Sequence, residues 1–377
     1  MARTLGVGII GCGNISTTYL KLGPLFKGFE IRVVADLNMA AALSRAAQFG
    51  VEARTVTDLL ASSDIDIVVN LTVPAAHFDV SKQILEAGKH VYSEKPLTLT
   101  LAQGKALLKL ATARKLHVAA APDTFLGGSH QQARAAVDDG AIGRIAGGTA
   151  HILGPGMEHW HPNPDFFFKP GGGPILDMGP YYIMALINLI GPVKRVAALT
   201  GMARKQRVIA NGPRMGEKIT VKTPTTIHAL LEFATGAAVT LTASWDVFAH
   251  RHPNLEVYGS DGAMFLPDPN FFGGTVMAAG TDGTPKPLDT WEHPFGKPNE
   301  KHPDGMQANY RGAGLADMAQ AIAAKRDIRC GIPRMLHVVE IMTAILKSGE
   351  TGKFETLKTT CTRPRPLGVA EARALLK

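Results

Sequence analysis

Residues 5–16 read Leu-Gly-Val-Gly-Ile-Ile-Gly-Cys-Gly-Asn-Ile-Ser, a short apolar run that ends in Gly11-Cys12-Gly13-Asn14-Ile15-Ser16. A buried strand followed at once by G-x-G-x-x-G/A is the fingerprint of a dinucleotide-binding βαβ unit. Gly11 permits the tight turn, Gly13 lets backbone approach a pyrophosphate, and the sixth residue must be small so that helix and strand pack closely. Ser16 stands where the pattern has Gly or Ala, and it is small enough. Phosphates would then sit at the N-terminus of the next helix, beside Asn14 and Ile15, where unpaired N–H groups and the helix dipole favour negative charge. Glycine-rich turns also serve as plain connections, so the turn needs its context.

Asp36 supplies part of that context: it ends a second apolar run about 20 residues further on, where the fingerprint places an acid for the ribose hydroxyls. A carboxylate there repels a 2′-phosphate, and Leu37 and Asn38 supply no arginine to receive one, so NAD is expected over NADP. The plainer reading of Asp36 is a solvated acid at a strand end. Apolar runs at 5–10, 30–35, 67–71, 90–92 and 117–120 alternate with stretches at 39–49, 78–87 and 101–114 in which apolar residues recur every three or four positions. This alternation predicts an α/β Rossmann domain with a parallel sheet over residues 1–122.

Beyond Pro122 the texture changes. A helix at 128–139 precedes runs of strand character at 145–153, 193–201, 226–233, 238–244 and 254–258. A Pro-, Gly- and Asp-rich stretch at 267–304 reads as a surface excursion, and helices follow at about 310–324 and 333–348. Several strands in succession predict an α+β domain with a mostly antiparallel sheet over residues 123–377.

Composition agrees with two cores: 377 residues with 45% hydrophobic content supply ample apolar material. No uncharged apolar run of about 18 residues occurs, and no signal-peptide zones precede the first strand, which points to a cytoplasmic enzyme with no membrane partner. Cys12, Cys330 and Cys361 are scattered, without a CxxC pair or zinc-site spacing, so reduced thiols and no metal are expected. The net charge of +8 is spread along the chain and forms no basic run interleaved with aromatics, so no nucleic-acid partner is expected.

A dehydrogenase acting on an alcohol needs a group that takes the hydroxyl proton as hydride leaves, and a lysine serves when burial or neighbours lower its pKa. Glu94-Lys95-Pro96 follows the run at 90–92, which places Lys95 at the C-terminal edge of the parallel sheet, where open α/β sheets bind ligands. By position alone it reads equally as a solvated loop residue.

Several motifs now stand in order along nearly the whole chain. The Gly11 turn, Asp36, Thr72-Val73-Pro74-Ala75-Ala76-His77, Ala87-Gly88-Lys89-His90-Val91 leading into Glu94-Lys95-Pro96, and Gly171-Gly172-Gly173-Pro174-Ile175-Leu176-Asp177-Met178-Gly179 resemble the glucose–fructose oxidoreductase and inositol dehydrogenase family, Gfo/Idh/MocA. The resemblance implies a Rossmann domain followed by an open-faced sheet domain, with a small carbohydrate substrate in the cleft between them. It implies that Lys95 is the catalytic, substrate-orienting lysine, with Glu94 and Pro96 shaping its turn. Thr72, Pro74 and His77 would line the cofactor, Asp177 would contact substrate beside the reacting carbon, and Asp123 would lie near the nicotinamide. For His77 and Asp123 plainer readings stand alongside: a helix-start residue satisfied by backbone, and an acid capping the next helix. An open-faced sheet must cover its apolar face, in this family usually with a partner copy, so a homodimer or homotetramer is implied.

One position departs from the family's pattern. Tyr181 stands four residues after Asp177, where well-known sugar and inositol dehydrogenases of the family have a histidine as the proposed proton acceptor. A tyrosine serves as acid or base if a nearby cation such as Lys95 lowers its pKa; otherwise Tyr181 only closes the pocket. Upstream, Glu158-His159-Trp160-His161-Pro162-Asn163-Pro164-Asp165 is dense in hydrogen-bonding and aromatic side chains suited to a sugar, with His161 the preferred alternative base. His159 and His161 are spaced like a metal pair on a strand, yet no supporting Cys/His cluster exists, and the segment also reads as a plain surface loop. Trp245 and Asp246 read as a substrate wall or a sheet end, and His250, His252, His293, His302 and His337 as scattered structural or solvated residues. The expected function is NAD-dependent oxidoreduction of a CH-OH group of a sugar, polyol or glycoside. Two rivals share the scaffold: NAD-assisted glycoside elimination without net redox change, and a non-catalytic NAD-binding regulator.

Overall fold

The computed structural model describes residues 3–161, 163–303 and 305–377, which form two compact units. Pro162 in the histidine loop and Asp304 at the end of the expected excursion lie outside the described residues.

The first unit is built on β1 (Leu5–Ile10), β2 (Phe29–Ala35), β3 (Glu52–Ala53), β4 (Ile67–Asn70), β5 (His90–Ser93) and β6 (Val118–Ala120). They form one parallel sheet in the order β3-β2-β1-β4-β5-β6. Val7, Ile9, Val33, Val34, Val68, Val69 and Val91 are fully buried, so these strands carry continuous apolar runs, as strands covered on both faces do. Strand order reverses between β1 and β4, and at this switch point the Gly11 turn and Thr72 leave the sheet side by side. The crossover helices are α1 (Asn14–Leu22), α2 (Met39–Phe49), α3 (Val56–Ala61), α4 (His77–Glu86) and α5 (Leu101–Arg114). Side chains of Asn38 and Thr55 cap α2 and α3, and Thr100 with Gln103 forms a capping box on α5. The edge strand β3 and helix α3 add to the expected elements; at two and six residues they are too short to display a period.

The expected division at 122/123 differs from the packing. Glu292–Val339 and Pro364–Lys377 belong with the first unit. Ala119 of β6 bridges to Gly331, and Ala120 N–H donates to Cys330 O at 3.1 Å, so the late segment closes the sheet's open edge. Arg329, 1% exposed, ties three segments together: it donates to Asp317, to the carbonyls of Arg365 and Pro366, and to Glu371. Local periodicity identifies those helices but not the sheet they cover.

The second unit comprises Ser129–Trp291 and Glu340–Arg363. Its elements are α6 (Gly128–Asp138), β7 (Ile145–Leu153), α7 (Pro174–Asp177), α8 (Gly179–Leu189), β8 (Val193–Gly201), β9 (Gln206–Val208), β10 (Lys218–Thr220), β11 (Thr226–Phe233), β12 (Ala238–Ser244), β13 (Leu255–Gly259), β14 (Ala263–Leu266), β15 (Met277–Ala279) and β16 (Lys286–Pro287). The main sheet runs β16-β15-β14-β13-β7-β12-β11-β8 and ends on the short strand Glu355–Thr356; β9 and β10 pair separately. Within it only the β7–β12 pair is parallel. Ile227, Ala229, Leu231 and Phe233 of β11 are buried while His228 and Leu230 are exposed, the two-residue period of a sheet with one open face. Within the expected excursion, β15 and β16 extend this sheet's edge, and from Glu292 the chain returns to the first unit. Helix α8 is buried at every position, so it lacks the polar stripe by which a helix is recognised, and it is absent from the expected elements.

Candidate functional site

Gly11 adopts φ +106°, and a Cβ there would stand 2.7 Å from the carbonyl of Leu71, so the turn admits only glycine. Gly13 is exposed, and a Cβ on it would meet nothing within 4 Å, which leaves open space over the turn. As N-cap of α1, Gly13 offers no side chain to the helix's first-turn N–H groups at Asn14 and Ile15. Ser16 is fully buried, and its Oγ donates to Gly13 O at 2.6 Å. Asp36 is half-buried and held at the turn: Oδ2 accepts Cys12 N–H at 2.7 Å and Oδ1 accepts Asn38 N–H at 2.8 Å. An open glycine cradle, an uncapped helix N-terminus and an adjoining acid fit a dinucleotide's pyrophosphate and ribose.

Across the switch point, Thr72 is half-buried and donates its hydroxyl to Asn70 Oδ1 at 2.7 Å; Asn70, fully buried, donates to His77 O and to Ser81 Oγ, both at 3.0 Å. Pro74, half-buried, starts the 3-10 turn Pro74–Ala76 that leads into α4. His77 acts as an internal clamp, satisfied by backbone as its plainer reading has it. It is 1% exposed, with Nδ1 2.7 Å from Pro96 O and Nε2 2.9 Å from Thr72 O. Burial pushes its pKa below the ordinary histidine range, against the two carbonyls that favour the charged form. The ring thereby joins the Thr72 segment to the turn that carries Lys95.

Lys95 is half-buried at the end of β5, and the Lys95–Pro96 peptide is cis. Glu94 is held from both sides: Oε1 accepts the Tyr19 hydroxyl at 3.0 Å and Oε2 accepts the backbone N–H of Lys95 at 3.0 Å. It fixes the backbone of the turn that carries the lysine. Asp123 is 2% exposed, and Oδ2 accepts the N–H groups of Gly312 and Gly314 at 2.9 and 3.0 Å, capping helix Ala313–Ala324. Burial raises its pKa, partly offset by those two donors.

In the second unit, Asp177 is half-buried at the C-terminus of α7, and one helical turn later α8 presents Tyr181, 8% exposed. Neighbouring Tyr182 serves the architecture: it donates to Asp268 Oδ1 at 3.1 Å and accepts from Asn254 Nδ2 at 3.0 Å. His161 is half-buried, edge-on to the rings of Trp160, Phe166 and Phe167. Burial lowers its pKa while the charge of Asp177 raises it, so the fold brings these two predicted residues into electrostatic reach. His161 Nδ1 accepts Asn163 N–H at 3.1 Å. A neutral ring then carries its proton on Nε2 and presents a donor, which argues against His161 as the base.

The residue that sequence reading missed is Arg207 on β9. It is 3% exposed and donates to Pro155 O at 3.1 Å, Trp245 O at 2.9 Å, Glu158 Oε1 and Asp246 Oδ1. Its guanidinium lies 5.2 Å from the Phe168 ring centroid, in a small core of Phe167, Phe168, Ile209, Ile219, Val221 and Trp245. Arg214 holds Asp165 at the far end of the same loop. The loop is therefore a built wall. No signal near Arg207 in sequence marks it, because its partners lie 38 to 52 positions away. His250 and His252 are not scattered either: His252 stacks on His151 at 4.3 Å, with His250 6.4 Å further along. Among the described residues no group of three His, Cys, Asp or Glu is arranged to hold a metal ion, and no helix is long and apolar enough to cross a membrane.

Comparison with known proteins matches residues 5–121 to an oxidoreductase family with an NAD-binding Rossmann fold and residues 130–265 to the GFO/IDH/MocA C-terminal domain. The chain belongs to the GFO/IDH/MocA oxidoreductase family. This GFO/IDH/MocA oxidoreductase binds NAD. It is 26% identical over 261 residues to the inositol 2-dehydrogenase of Rhizobium meliloti (strain 1021), covering 69% of this chain and 75% of that one. It is 28% identical over 274 residues to the dTDP-3,4-didehydro-2,6-dideoxy-alpha-D-glucose 3-reductase of Actinomadura kijaniata, covering 70% and 75% of the two chains. In fold it is similar to a levoglucosan dehydrogenase in complex with NADH and L-sorbose, with TM-score 0.77, 22% identity and coverage of 95% and 100%. The aldose-aldose oxidoreductase of Caulobacter crescentus gives TM-score 0.72, 21% identity and coverage of 94% and 100%.

Proposed function

We propose that this oxidoreductase transfers hydride between NAD and a CH-OH carbon of a sugar, polyol or glycoside. The observation that carries the reading is the pinning of Lys95 at the C-terminal end of β5, where Glu94 accepts its N–H and His77 clamps the adjoining Pro96 carbonyl. The curated relatives named above act on an inositol and on a nucleotide-linked deoxysugar, which supports a carbohydrate substrate.

Bound NAD supplies the hydride acceptor or donor. The ammonium of Lys95 orients the reacting hydroxyl, and the carboxylate of Asp177 grips the substrate. Tyr181 exchanges the hydroxyl proton, while Nε2–H of His161 donates to a substrate oxygen and the rings of Trp160 and Phe166, both exposed, offer stacking surface. Asp36 beside the ribose favours NAD over NADP. The open sheet face, with Leu199, Leu230 and Tyr258 exposed, is covered by a second copy in a homo-oligomer.

Purified protein incubated with NAD and a panel of sugars, inositols, glycosides and sugar acids should accumulate NADH with at least one of them. Product formation without NADH would instead favour glycoside elimination. Lys95→Met should abolish turnover while NADH titration shows retained binding; full activity in that variant would falsify the assignment of Lys95.

A further inference from the structure

We infer that Arg45 is a cofactor-binding residue whose guanidinium contacts the pyrophosphate of the bound dinucleotide from the side of the glycine-rich turn. The inference rests on NAD binding and is independent of which substrate is oxidised.

Arg45 lies on α2, outside the fingerprint, yet its half-buried side chain reaches back to α1. Nε donates to Ser16 Oγ at 3.2 Å, one terminal nitrogen approaches Gly13 O at 3.5 Å, and the other donates to Gln48 at 2.7 Å. Ser16, the residue that departs from the Gly/Ala pattern, is the anchor. Its own proton goes to Gly13 O, so its oxygen is left as an acceptor aimed at Arg45.

Two observations point to a ligand. Arg45 makes no ion pair among the described residues, whereas in the same unit Arg32 pairs with Glu30 and Arg54 with Glu52 and Asp64. Its charge is close enough to the turn to pull on the Cys12 thiol, opposing the burial and the Asp36 charge that raise that group. Beside this uncompensated cation, α1 begins at exposed Gly13 and Asn14 with no side-chain cap. An arginine fork with unused donors next to orphan helix N–H groups matches a diester phosphate in both charge and donor geometry. Two phosphates of nicotinamide cofactors present this chemistry, the pyrophosphate and the 2′-phosphate of NADP. Asp36, bonded to the same turn through Cys12 N–H, repels the second and leaves the first.

The test is calorimetric titration of wild type, Arg45→Met and Arg45→Lys with NADH, NADPH, ADP-ribose and adenosine, at several salt concentrations, with thermal melting as a check on folding. Arg45→Met should weaken NADH and ADP-ribose about tenfold or more and leave adenosine within about twofold, and Arg45→Lys should recover part of the loss. The salt dependence of NADH binding should flatten in Arg45→Met. Equal weakening of adenosine and ADP-ribose would reveal a merely structural tie between α1 and α2 and overturn the inference. Unchanged NADH binding, or loss confined to NADPH, would also overturn it. If Arg45→Met melts early, Arg45→Gln, which keeps a donor for Ser16 but no charge, carries the same comparison.

Discussion

Replacing Arg207 by methionine isolates the wall of the second unit. The guanidinium serves two carboxylates and two carbonyls, but its removal does not strand them equally. Asp246 keeps Thr225, Thr226 and Ala203 as donors. Glu158 does not: it is 2% exposed, Oε2 has no hydrogen-bond partner among the described residues, and the ring of His159 stands 3.6 Å from Oε1. Stripping the partner from a buried ion pair costs about 3–5 kcal/mol, because a charge is left desolvated and uncompensated. Replacing both partners by apolar residues of similar size recovers most of that, since the desolvation penalty disappears with the pair. Urea denaturation of Arg207→Met should therefore lose about 3–5 kcal/mol, and Arg207→Met with Glu158→Leu should stand closer to wild type than the single variant. NADH affinity should be untouched, because the nucleotide cradle belongs to the other unit, while turnover falls with the displaced His161 loop. A single variant that loses under about 1 kcal/mol, or a double variant worse than the single, refutes this account of the wall.

Tyr181→Phe should lower kcat by about 100-fold or more, as loss of a general acid–base does, whereas His161→Asn should chiefly raise KM for substrate; the reverse pattern in steady-state kinetics hands the proton to His161. His77→Ala removes the tie between Thr72 O and Pro96 O and should cost about 2–3 kcal/mol in denaturation with weaker NADH binding; unchanged values for both reject the clamp. His130 and His293 are each 1% exposed, and burial depresses both from 6.5 to about 4. The folded state holds them neutral, so the stability they contribute is complete above 6.5 and is lost as pH falls toward 4, on the order of 2–3 kcal/mol each. Denaturation midpoints should drop across that window and flatten in His293→Gln; a level wild-type profile contradicts the assignment.

The nucleotide half was legible because its signals are local. A tight turn, a strand-end acid and short buried strands each impose residue types on adjacent positions, and the structure places Gly11, Gly13 and Asp36 together at the switch point as that pattern requires. Legibility was partial where a side chain's partners lie far along the chain. For His77, Glu94 and Asp123 the sequence offers a backbone-satisfied ring, a turn-shaping acid and a helix cap, but not the partners that hold them: the Pro96 carbonyl, the Tyr19 hydroxyl and the N–H groups of Gly312 and Gly314. Helix α8, which carries Tyr181, is apolar on every side and shows no period to read. Arg45 and Arg207 look like ordinary surface cations until the fold supplies their neighbours.

The knot of contacts around Arg329 dictates an order of assembly during synthesis. On the ribosome the glycine-rich turn emerges before the segments that cover its sheet, which cannot seal its β6 edge until Ala313–Ala324 and the residues around Cys330 have followed, nor fill Arg329's carbonyl partners until Arg365 and Pro366 are made. The nascent nucleotide-binding sheet thus waits, one flank bare, while more than two hundred intervening residues are translated. Removing the segment Pro364–Lys377 therefore injures a sheet encoded more than two hundred residues upstream of it.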